Sequence, residues 1–147
     1  MKEVHMEVQA IMSKRLASLP PEATTAEAAK LMKEEDVGAI LALGPGGKPL
    51  GILTDRDLVI RVVASNRDPA QVKLQEVMSK HPCTVRGSEP VMLVARRMAE
   101  KGVRRLLVVN EGGSVIGVVS VDDLLTVLIS ELSNVCTVMV GSSRLVR

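Results

Sequence analysis

The sequence predicts an α/β (α+β) fold in which two tandem β-α-β-β-α units pack sheet to sheet about a pseudo-two-fold axis. Three observations predict it: 46% of the 147 residues are hydrophobic, the chain superposes on itself after a shift of 66 residues, and each half repeats the same order of strand and helix patterns. One such unit is too small to bury both faces of its sheet. Two units packed together bury those faces and leave a cleft on each side of the axis.

The internal repeat runs without a gap. Met12-Ser13-Lys14 aligns with Met78-Ser79-Lys80, and Asp57-Leu58 aligns with Asp123-Leu124. Of 55 aligned pairs, 13 are identical, where average composition would give about three or four. The repeat divides the chain into a first unit at residues 7–65, a linker at 66–72, a second unit at 73–133 and a tail at 134–147.

A short strand and a helix open each unit. The strands are expected near Leu16–Leu19 and Cys83–Val85. Thr24 followed by Glu27 is the pattern of a capping box, and Ser88-Glu89-Pro90 begins the matching helix, with the proline in its first turn. Apolar residues at helical spacing follow both starts: Ala28, Leu31 and Met32 in the first unit, and Val91, Val94, Ala95 and Met98 in the second.

A β-hairpin follows the helix in each unit. Its strands are the apolar runs Ala39–Leu43 and Leu50–Leu53 in the first unit, and Leu106–Val109 and Val115–Val119 in the second. Glycine-containing turns join them, as hairpins require. The Gly44–Gly47 turn joins two strands and opens no helix, so it is neither a Walker loop nor a dinucleotide fingerprint.

A second helix closes each unit, from about Asp55 to Ala64 and from about Val121 to Leu132. The polar segment Asn66–Gln71, which contains a proline, is expected to link the units. In the tail, Val135–Val140 has the pattern of a short apolar strand, and the chain from Gly141 onward that of a flexible basic end. Such a tail could cover a dimer edge, add a strand or stay free of the fold.

Composition excludes several classes of partner. Nineteen Lys and Arg against seventeen Asp and Glu leave a net charge of +2, a weak bias that predicts neither nucleic acid nor an anionic membrane surface as the partner. The absence of Phe, Trp and Tyr removes base-stacking platforms. The longest apolar runs, such as Leu124–Ile129, are far shorter than the roughly 20 residues of a bilayer span, so no membrane span is expected.

The thiol and imidazole side chains predict no metal or redox site. Cys83 and Cys136 are far apart and outside any metal-ligand or redox spacing. His5 and His81 lack a second ligand at metal spacing, so a surface or linker role is expected for them. With no secretory signal at the N-terminus, the expected location is the reducing cytoplasm.

The same seven-residue pattern closes both hairpins: Gly51-Ile-Leu-Thr54-Asp-Arg-Asp57 in the first unit and Gly117-Val-Val-Ser120-Val-Asp-Asp123 in the second. It places a hydroxyl at the start of the helix and a carboxylate one turn later. One interpretation is a helix cap, worth about 1 kcal/mol. The other adds a ligand, because a helix start suits phosphate, the hydroxyl can donate to it, and the carboxylate can accept from ribose hydroxyls.

With these motifs the chain resembles a pair of cystathionine-β-synthase (CBS) domains, also called a Bateman module. The resemblance rests on the duplicated unit, the Met-Ser-Lys before each repeat, the Gly-x-x-Thr/Ser-x-x-Asp closure and the strand Val103–Val109, and it covers about Glu7 to Ser133. It implies a sensor that binds adenosine-containing ligands in the clefts between the units. AMP, ADP, ATP, S-adenosylmethionine or a dinucleotide would act there as a regulatory ligand, not as a cofactor.

The resemblance also implies which residues hold the ligand. Thr54 and Ser120 match the hydroxyls that contact phosphate in the family, and Asp57 and Asp123 match the carboxylates that hold the ribose. The first strand of each unit would pack on the adenine, which is the role expected for Leu19 and Val85.

Three arginines make the two sites unequal. Arg104 and Arg105 occupy a strand where basic residues often contact phosphate in the family, and only one of two neighbours on a strand can face the cleft. The first unit has Gly38 and Ala39 at these positions, and Arg56 of its motif aligns with an aspartate of the second. We therefore expect the sites to differ in phosphate affinity, unless the arginine pair only forms a solvated edge or a surface salt bridge.

These features predict a stand-alone regulatory module that passes its ligand occupancy to an unidentified partner or to its own dimer by population shift. The family implies a homodimer paired through helices. No nucleophile, acid–base pair or metal cluster is evident in the sequence, so no enzyme is expected. Two alternatives stay open: a ligand-free scaffold for dimerisation or docking, and an enzyme that uses the bound nucleotide as substrate, such as a hydrolase.

Overall fold

The computed structural model describes residues 5–141 and confirms a mixed α/β fold with two small sheets and helices, built twice along the chain. The strands are β1 (Ser18–Leu19), β2 (Ala39–Leu43), β3 (Pro49–Thr54), β4 (Ser79–Lys80), β5 (Thr84–Arg86), β6 (Arg105–Val109) and β7 (Val115–Ser120). The helices are α1 (Thr25–Glu35), α2 (Asp55–Leu58), α3 (Leu74–Val77), α4 (Val91–Lys101) and α5 (Val121–Gly141). A π-helical turn (Val59–Val63) continues α2, and single 3-10 turns lie at Val8–Ala10 and Pro45–Gly47.

The two sheets repeat the same topology. In the first, with strand order β1-β2-β3-β4, β2 is parallel to β1 and antiparallel to β3. In the second, with order β5-β6-β7, β6 is parallel to β5 and antiparallel to β7. The hairpins also share a register, since Ala39 pairs with Thr54 and the aligned Arg105 pairs with Ser120. The duplication in the sequence therefore extends to the backbone pairing.

Each sheet turns one face toward helices, and that face holds a core. Ile40 and Ala42 of β2 belong to the first core, and Leu106 and Val108 of β6 to the second, because alternate residues of a strand face opposite sides. The residues between them face the other way. The other core members include Ala28, Met32, Leu53 and Val62 in the first unit and Val85, Val94, Met98, Val119 and Leu124 in the second.

The leading segment of each unit packs on the other unit. Val8 is fully buried in the second core, and Leu74, its aligned equivalent, is fully buried in the first. The backbone follows the same exchange: the Val8 N–H donates to the Glu89 carbonyl and the Leu74 N–H to the Ala23 carbonyl, both at 2.9 Å. Each unit is thus completed by the leading segment of the other unit.

The exchange continues into the sheets. Ser13 forms a bridge with Val118 of β7, and Ser79 of β4 pairs with Ile52 of β3. The methionine before each serine lies against a glycine of the opposite strand: a Cβ atom at Gly51 would stand 2.4 Å from Met78 Sδ, and one at Gly117 2.5 Å from Met12 Sδ. Glycine at these two positions is what allows the exchanged segments to approach so closely.

The ends of α1 and α4 mostly match the sequence prediction. The Thr24–Glu27 capping box is confirmed, since the Thr24 N–H donates to the Glu27 carboxylate at 2.8 Å and the Glu27 N–H donates to the Thr24 hydroxyl at 3.2 Å. Pro90 is the N-cap residue of α4, one position before the first turn in which it was expected. Asp36 (φ 52°) and Gly102 (φ 63°) end the two helices in the left-handed conformation, as C-terminal caps commonly do.

The prediction of a strand at Val135–Val140 is wrong, because α5 runs on as one helix of 21 residues to Gly141. Neither Gly nor Pro interrupts the chain between Leu132 and Val140, so the hydrogen-bonded helix continues through the β-branched residues. The Thr137 hydroxyl donates to the Ser133 carbonyl at 2.9 Å within the helix. Residues 142–147, predicted as a flexible basic end, lie outside the described residues.

The extended α5 also corrects the expectation about membrane spans. By length and composition it is long and apolar enough to cross a bilayer. The sequence prediction missed this because it divided the stretch between a helix and a strand. One such helix is weak evidence for a span, and Leu124, near its start, is buried in the second core.

Candidate functional site

Two clefts lie between the units. The first cleft, of about 200 Å³, is lined by Ser13, Arg15, Leu16, Ala17, Asp36, Val37, Gly38, Ala39, Leu41, Ile52, Arg105, Leu107 and Val118. The second cleft, of about 290 Å³, is lined by Ser79, Lys80, His81, Pro82, Cys83, Val103, Leu106 and again by Ile52, Arg105 and Leu107. Residues 13, 15, 16, 17 and 37 of the first align with residues 79, 81, 82, 83 and 103 of the second, so the repeat relates the two clefts.

Both clefts have an apolar floor. Leu41 and Leu107 are 3% and 2% exposed, yet they belong to neither core, because they point away from the helices and toward the opposite sheet. Ile52 and Val118 complete this layer. The volumes are at or below the lower end of the roughly 300–1,000 Å³ of typical ligand pockets. The clefts therefore fit a flat apolar group, with the rest of a larger ligand at the mouth.

The polar groups of the two clefts differ. The first cleft contains Arg15, whose Nη2 donates to the Glu35 carbonyl at 2.6 Å, together with the carboxylate of Asp36. The second contains Lys80 and His81, and none of its lining residues is a carboxylate. The second cleft is therefore the more cationic of the two.

The two Thr/Ser–Asp motifs form helix caps. The Thr54 N–H donates to Asp57 Oδ2 at 2.9 Å, and the Asp57 N–H donates to Thr54 Oγ1 at 3.2 Å. The second motif repeats this geometry, with Ser120 N–H to Asp123 Oδ2 at 2.8 Å and Asp123 N–H to Ser120 Oγ at 3.2 Å. The capping interpretation of these residues is thus confirmed in both units.

The motifs stand beside the clefts, and none of their four Thr, Ser and Asp residues lines either cleft. Thr54 is the cross-strand neighbour of Ala39, and Ser120 that of Arg105, both of which line the first cleft. Arg61 connects Asp57 to the second cleft: its Nη2 lies 3.6 Å from Asp57 Oδ1 and 3.4 Å from the hydroxyl of Ser79. The motifs are therefore one residue removed from the cleft walls.

Of the three predicted arginines, one reaches the clefts. Arg105 lines both of them, whereas Arg104 and Arg56 line neither. All three are exposed. The Arg104 carbonyl accepts the Val121 N–H at 2.9 Å, so the neighbour of Arg105 contributes its backbone to the start of α5.

Leu19 and Val85 face the cores and not the clefts. Val85 is 2% exposed inside the second core, and Leu19 packs against the first. Strand alternation explains the difference, since only every second side chain faces the same side. The first strands reach the clefts through residues just before them: Leu16 and Ala17 in the first unit, and Pro82 and Cys83 in the second.

Several cleft residues were not expected from the sequence. Ser13 and Ser79 belong to the duplicated Met-Ser-Lys, so the repeat itself carried a signal for them. His81, expected on the surface or in a linker, lines the second cleft and has a left-handed backbone (φ 52°). No group of three or more His, Cys, Asp or Glu side chains that could hold a metal ion occurs within residues 5–141.

A family model described as "CBS domain" matches the chain twice, at residues 8–64 and 74–130. The chain is 36% identical over 107 residues to an uncharacterized protein of Methanopyrus kandleri, covering 73% of this chain and 55% of that protein. It is 34% identical over 127 residues to the CBS domain-containing protein YhcV of Bacillus subtilis, covering 86% of each. The chain thus spans about half the length of the Methanopyrus relative and most of the Bacillus one.

Two solved structures are similar along nearly their whole length. A CBS domain protein from Pyrobaculum aerophilum, complexed with AMP, is 26% identical with a TM-score of 0.75, covering 88% of this chain and 99% of that one. The CBS domain pair of protein MJ0100, in complex with 5-methylthioadenosine and S-adenosyl-L-methionine, is 25% identical with a TM-score of 0.73, covering 84% and 99%. Each similarity covers too much of this chain to be confined to one unit.

Proposed function

The chain belongs to the CBS-domain family, and from this premise we propose that it is a regulatory CBS pair that binds an adenine nucleotide of the AMP, ADP or ATP type in its clefts. The observation that carries the proposal is the pair of repeat-related clefts, each with an apolar floor, a serine and cationic side chains. An adenine ring matches the apolar floor, and phosphate matches the cations at the mouth. Two similar proteins have been solved with AMP and with S-adenosylmethionine, and both of these ligands contain an adenosine.

The caps beside the clefts can serve a ligand without being dismantled. Asp57 and Asp123 each use Oδ2 to accept a backbone N–H, and a carboxylate has about four acceptor positions. Their remaining lone pairs can accept from the ribose hydroxyls, and the Thr54 hydroxyl can donate to phosphate. The Ser120 hydroxyl donates to Asp123 Oδ2 at 3.0 Å, so it would exchange that bond for one to phosphate. We propose these four roles for the motif residues, with Arg105 as the phosphate-binding cation.

The exchange of leading segments gives such a ligand a way to signal. Ser13 and Ser79 line the clefts and also pair with the opposite sheet. A ligand that contacts them therefore touches both units at once, and it can favour one arrangement of the units only by the difference in its affinity for the two arrangements. The regulated partner would then respond to that arrangement.

The absence of aromatic residues makes binding easy to detect. The chain contains no Phe, Trp or Tyr, so tag-free, desalted protein has no aromatic band of its own in the near ultraviolet. A purine band that stays with the protein identifies a co-purified nucleotide, and mass analysis of the denatured supernatant names it. If the band is absent, titration calorimetry with AMP, ATP and S-adenosylmethionine must show binding, or the proposal fails.

The roles of the motif carboxylates are tested by Asp57→Ala and Asp123→Ala. Each removes a cap worth about 1 kcal/mol and, if the proposal holds, also abolishes nucleotide binding at its site. Glu27→Ala is the matched control, because Glu27 makes the same pair of capping bonds to Thr24 and lines neither cleft. Equal losses of thermal stability with unchanged affinity in all three variants would leave the aspartates as caps alone.

A ligand-free scaffold for dimerisation or docking is the second candidate function. It is favoured by one specific observation: the capping bonds already account for all four motif residues. Under this alternative no adenosine ligand binds, and the variants at Asp57 and Asp123 change stability only. The ultraviolet and calorimetric measurements decide between the two.

We further propose that the chain forms a homodimer through α5. Leu125, Leu128, Leu132 and Val135 follow one another at spacings of three, four and three residues, and they are 47%, 60%, 64% and 54% exposed. This spacing is the a/d pattern by which one helix pairs with a copy of itself. The opposite face carries the hydroxyls of Thr126, Ser130, Ser133 and Thr137.

The start of the same helix is held by the second unit. Its first turn holds Asp122 and Asp123, and Leu124 is buried in the second core. The described part of α5 beyond the second unit, residues 134–141, is about 12 Å long at ~1.5 Å per residue, shorter than the ~30 Å hydrocarbon layer. A second copy of α5 is therefore the occupant that we propose for this face.

The dimer is tested by a charge placed on one face or the other. Leu132→Asp should convert the dimer to a monomer in sedimentation equilibrium, because a carboxylate would be buried in the seam. Ser133→Asp adds the same charge one residue later, on the hydroxyl face, and should leave the dimer intact. A wild-type monomer, or dimers of equal strength in both variants, would contradict the proposed seam.

A further inference from the structure

We propose that a single cation, Arg105, serves both clefts, so that an anionic ligand bound in one cleft weakens the binding of an anionic ligand in the other. The inference rests on the proposed function, because it assumes that the clefts bind adenosine ligands. It adds that this effect depends on the charge of the ligand. A second nucleotide binds more weakly than the first, whereas a second uncharged adenosine binds as well as the first.

The first step is the position of Arg105. It is the first residue of β6 and lines the first cleft and the second cleft alike. Its aligned equivalent, Ala39, lines the first cleft and carries no charge. A pair with arginine at both aligned positions would have two such cations, and here only the second unit has one.

The second step is that no bond within the described structure holds the Arg105 guanidinium in one cleft. Within residues 5–141 no hydrogen bond or ion pair is made by the Arg105 side chain, which is exposed. Its Nη2 lies 3.9 Å from the point that a Cβ atom of Gly38 would occupy, and Asp55 Oδ2 lies 3.5 Å from the same point. In this conformation Arg105 therefore extends over Gly38, at the wall of the first cleft.

The third step is that the two clefts differ in the other cations that could bind a phosphate in place of Arg105. Arg15 of the first cleft already donates to the Glu35 carbonyl and is accompanied there by Asp36. The second cleft has Lys80 besides His81. A phosphate in the second cleft thus has Lys80 and can draw Arg105 as well, whereas a phosphate in the first cleft depends chiefly on Arg105. The first bound phosphate takes the shared cation, and the second must bind without it.

The experiment compares ATP with adenosine on the full chain by titration calorimetry. Wild-type protein is expected to bind one ATP tightly and a second between about 5- and 150-fold more weakly, the range of typical site-to-site coupling. Adenosine, which has no phosphate, should bind both clefts with no such separation. Arg105→Ala should weaken the tight ATP site and leave adenosine binding unchanged.

The repeat supplies a gain-of-function variant. Ala39→Arg places a second guanidinium at the aligned position and should bring the two ATP constants together. Arg104→Ala is the control, because Arg104 is the exposed neighbour that lines neither cleft, and it should behave as wild type. Circular dichroism of each variant checks that it is folded before it is titrated.

Two results would overturn the shared cation while leaving the proposed function in place: two equal ATP sites in wild-type protein, or ATP affinity unchanged in Arg105→Ala. If neither adenosine nor ATP binds any folded variant, the proposed function itself is overturned, and the shared cation with it. The adenosine titration therefore separates the two failures.

Discussion

Replacing Leu74 by alanine should destabilise the first unit, although Leu74 lies at the start of the second unit in the chain. Its side chain is fully buried and belongs to the first core. The substitution removes three carbon atoms, a transfer loss of about 2.4 kcal/mol at ~0.8 kcal/mol per methylene. The cavity left behind brings the expected loss in the free energy of unfolding to about 3 to 4 kcal/mol.

Urea unfolding followed by far-ultraviolet circular dichroism measures this loss, since the chain has no tryptophan or tyrosine for fluorescence. In thermal unfolding, the midpoint temperature of a chain of this size should fall by about 10 °C. Leu50→Ala is the control: Leu50 is 42% exposed, and its replacement should change the free energy of unfolding by less than about 1 kcal/mol.

The location of the damage tests the exchange of segments directly. Methyl NMR shifts should change for Ile40 and Leu53, which share the first core with Leu74, and stay near wild type for Leu106 and Val108 of the second. The aligned substitution Val8→Ala should give the opposite pattern. Shift changes confined to the second core in Leu74→Ala, or a stability loss below about 1 kcal/mol, would refute the exchange.

Two further predictions concern the close approach of the exchanged segments and one carboxylate. Gly117→Ala should reduce stability by about 1–3 kcal/mol, more than Gly51→Ala, because a Cβ at Gly117 would also stand 2.9 Å from the backbone oxygen of Ser13; urea unfolding of both variants checks this. The Lys73 backbone N–H lowers the pKa of Glu76 below its usual 4.5, so its contribution to stability is present above about pH 4.5 and is lost as the pH falls further. Glu76→Gln should therefore be less stable than wild type at pH 7, with the difference closing toward pH 3.

Much of the fold follows from local patterns in the sequence. The apolar runs around each glycine-containing turn predicted all four hairpin strands to within one residue at either end, and the Thr24–Glu27 pair predicted a capping box that the structure contains. These features depend on neighbours in the chain, so the sequence displays them. The continuation of α5 through Val135 was missed, because a β-branched apolar run has the same composition in a strand as in an exposed helix.

The exchange of segments could not be predicted by alignment of the repeats. Aligning Val8 with Leu74 shows that the two are equivalent, but it is equally compatible with each packing on its own unit. The same limit applies to the site. Alternation along a strand predicted that only one of Arg104 and Arg105 would face a cleft. Which side chains of β1 and β5 face the core and which face the clefts depends on tertiary packing, so the burial of Val85 was not predicted.

A single unit of this kind, separated from its repeat, would carry the segment that its neighbour needs and lack the one that completes its own core. Its core would be completed only when the leading segment of a second molecule packed on it, and its stability would then depend on protein concentration. Joining two units in one chain makes this packing intramolecular, at an effective concentration of about millimolar for a short flexible connection. Duplication thus makes the closing of each core independent of how much of the protein a cell contains.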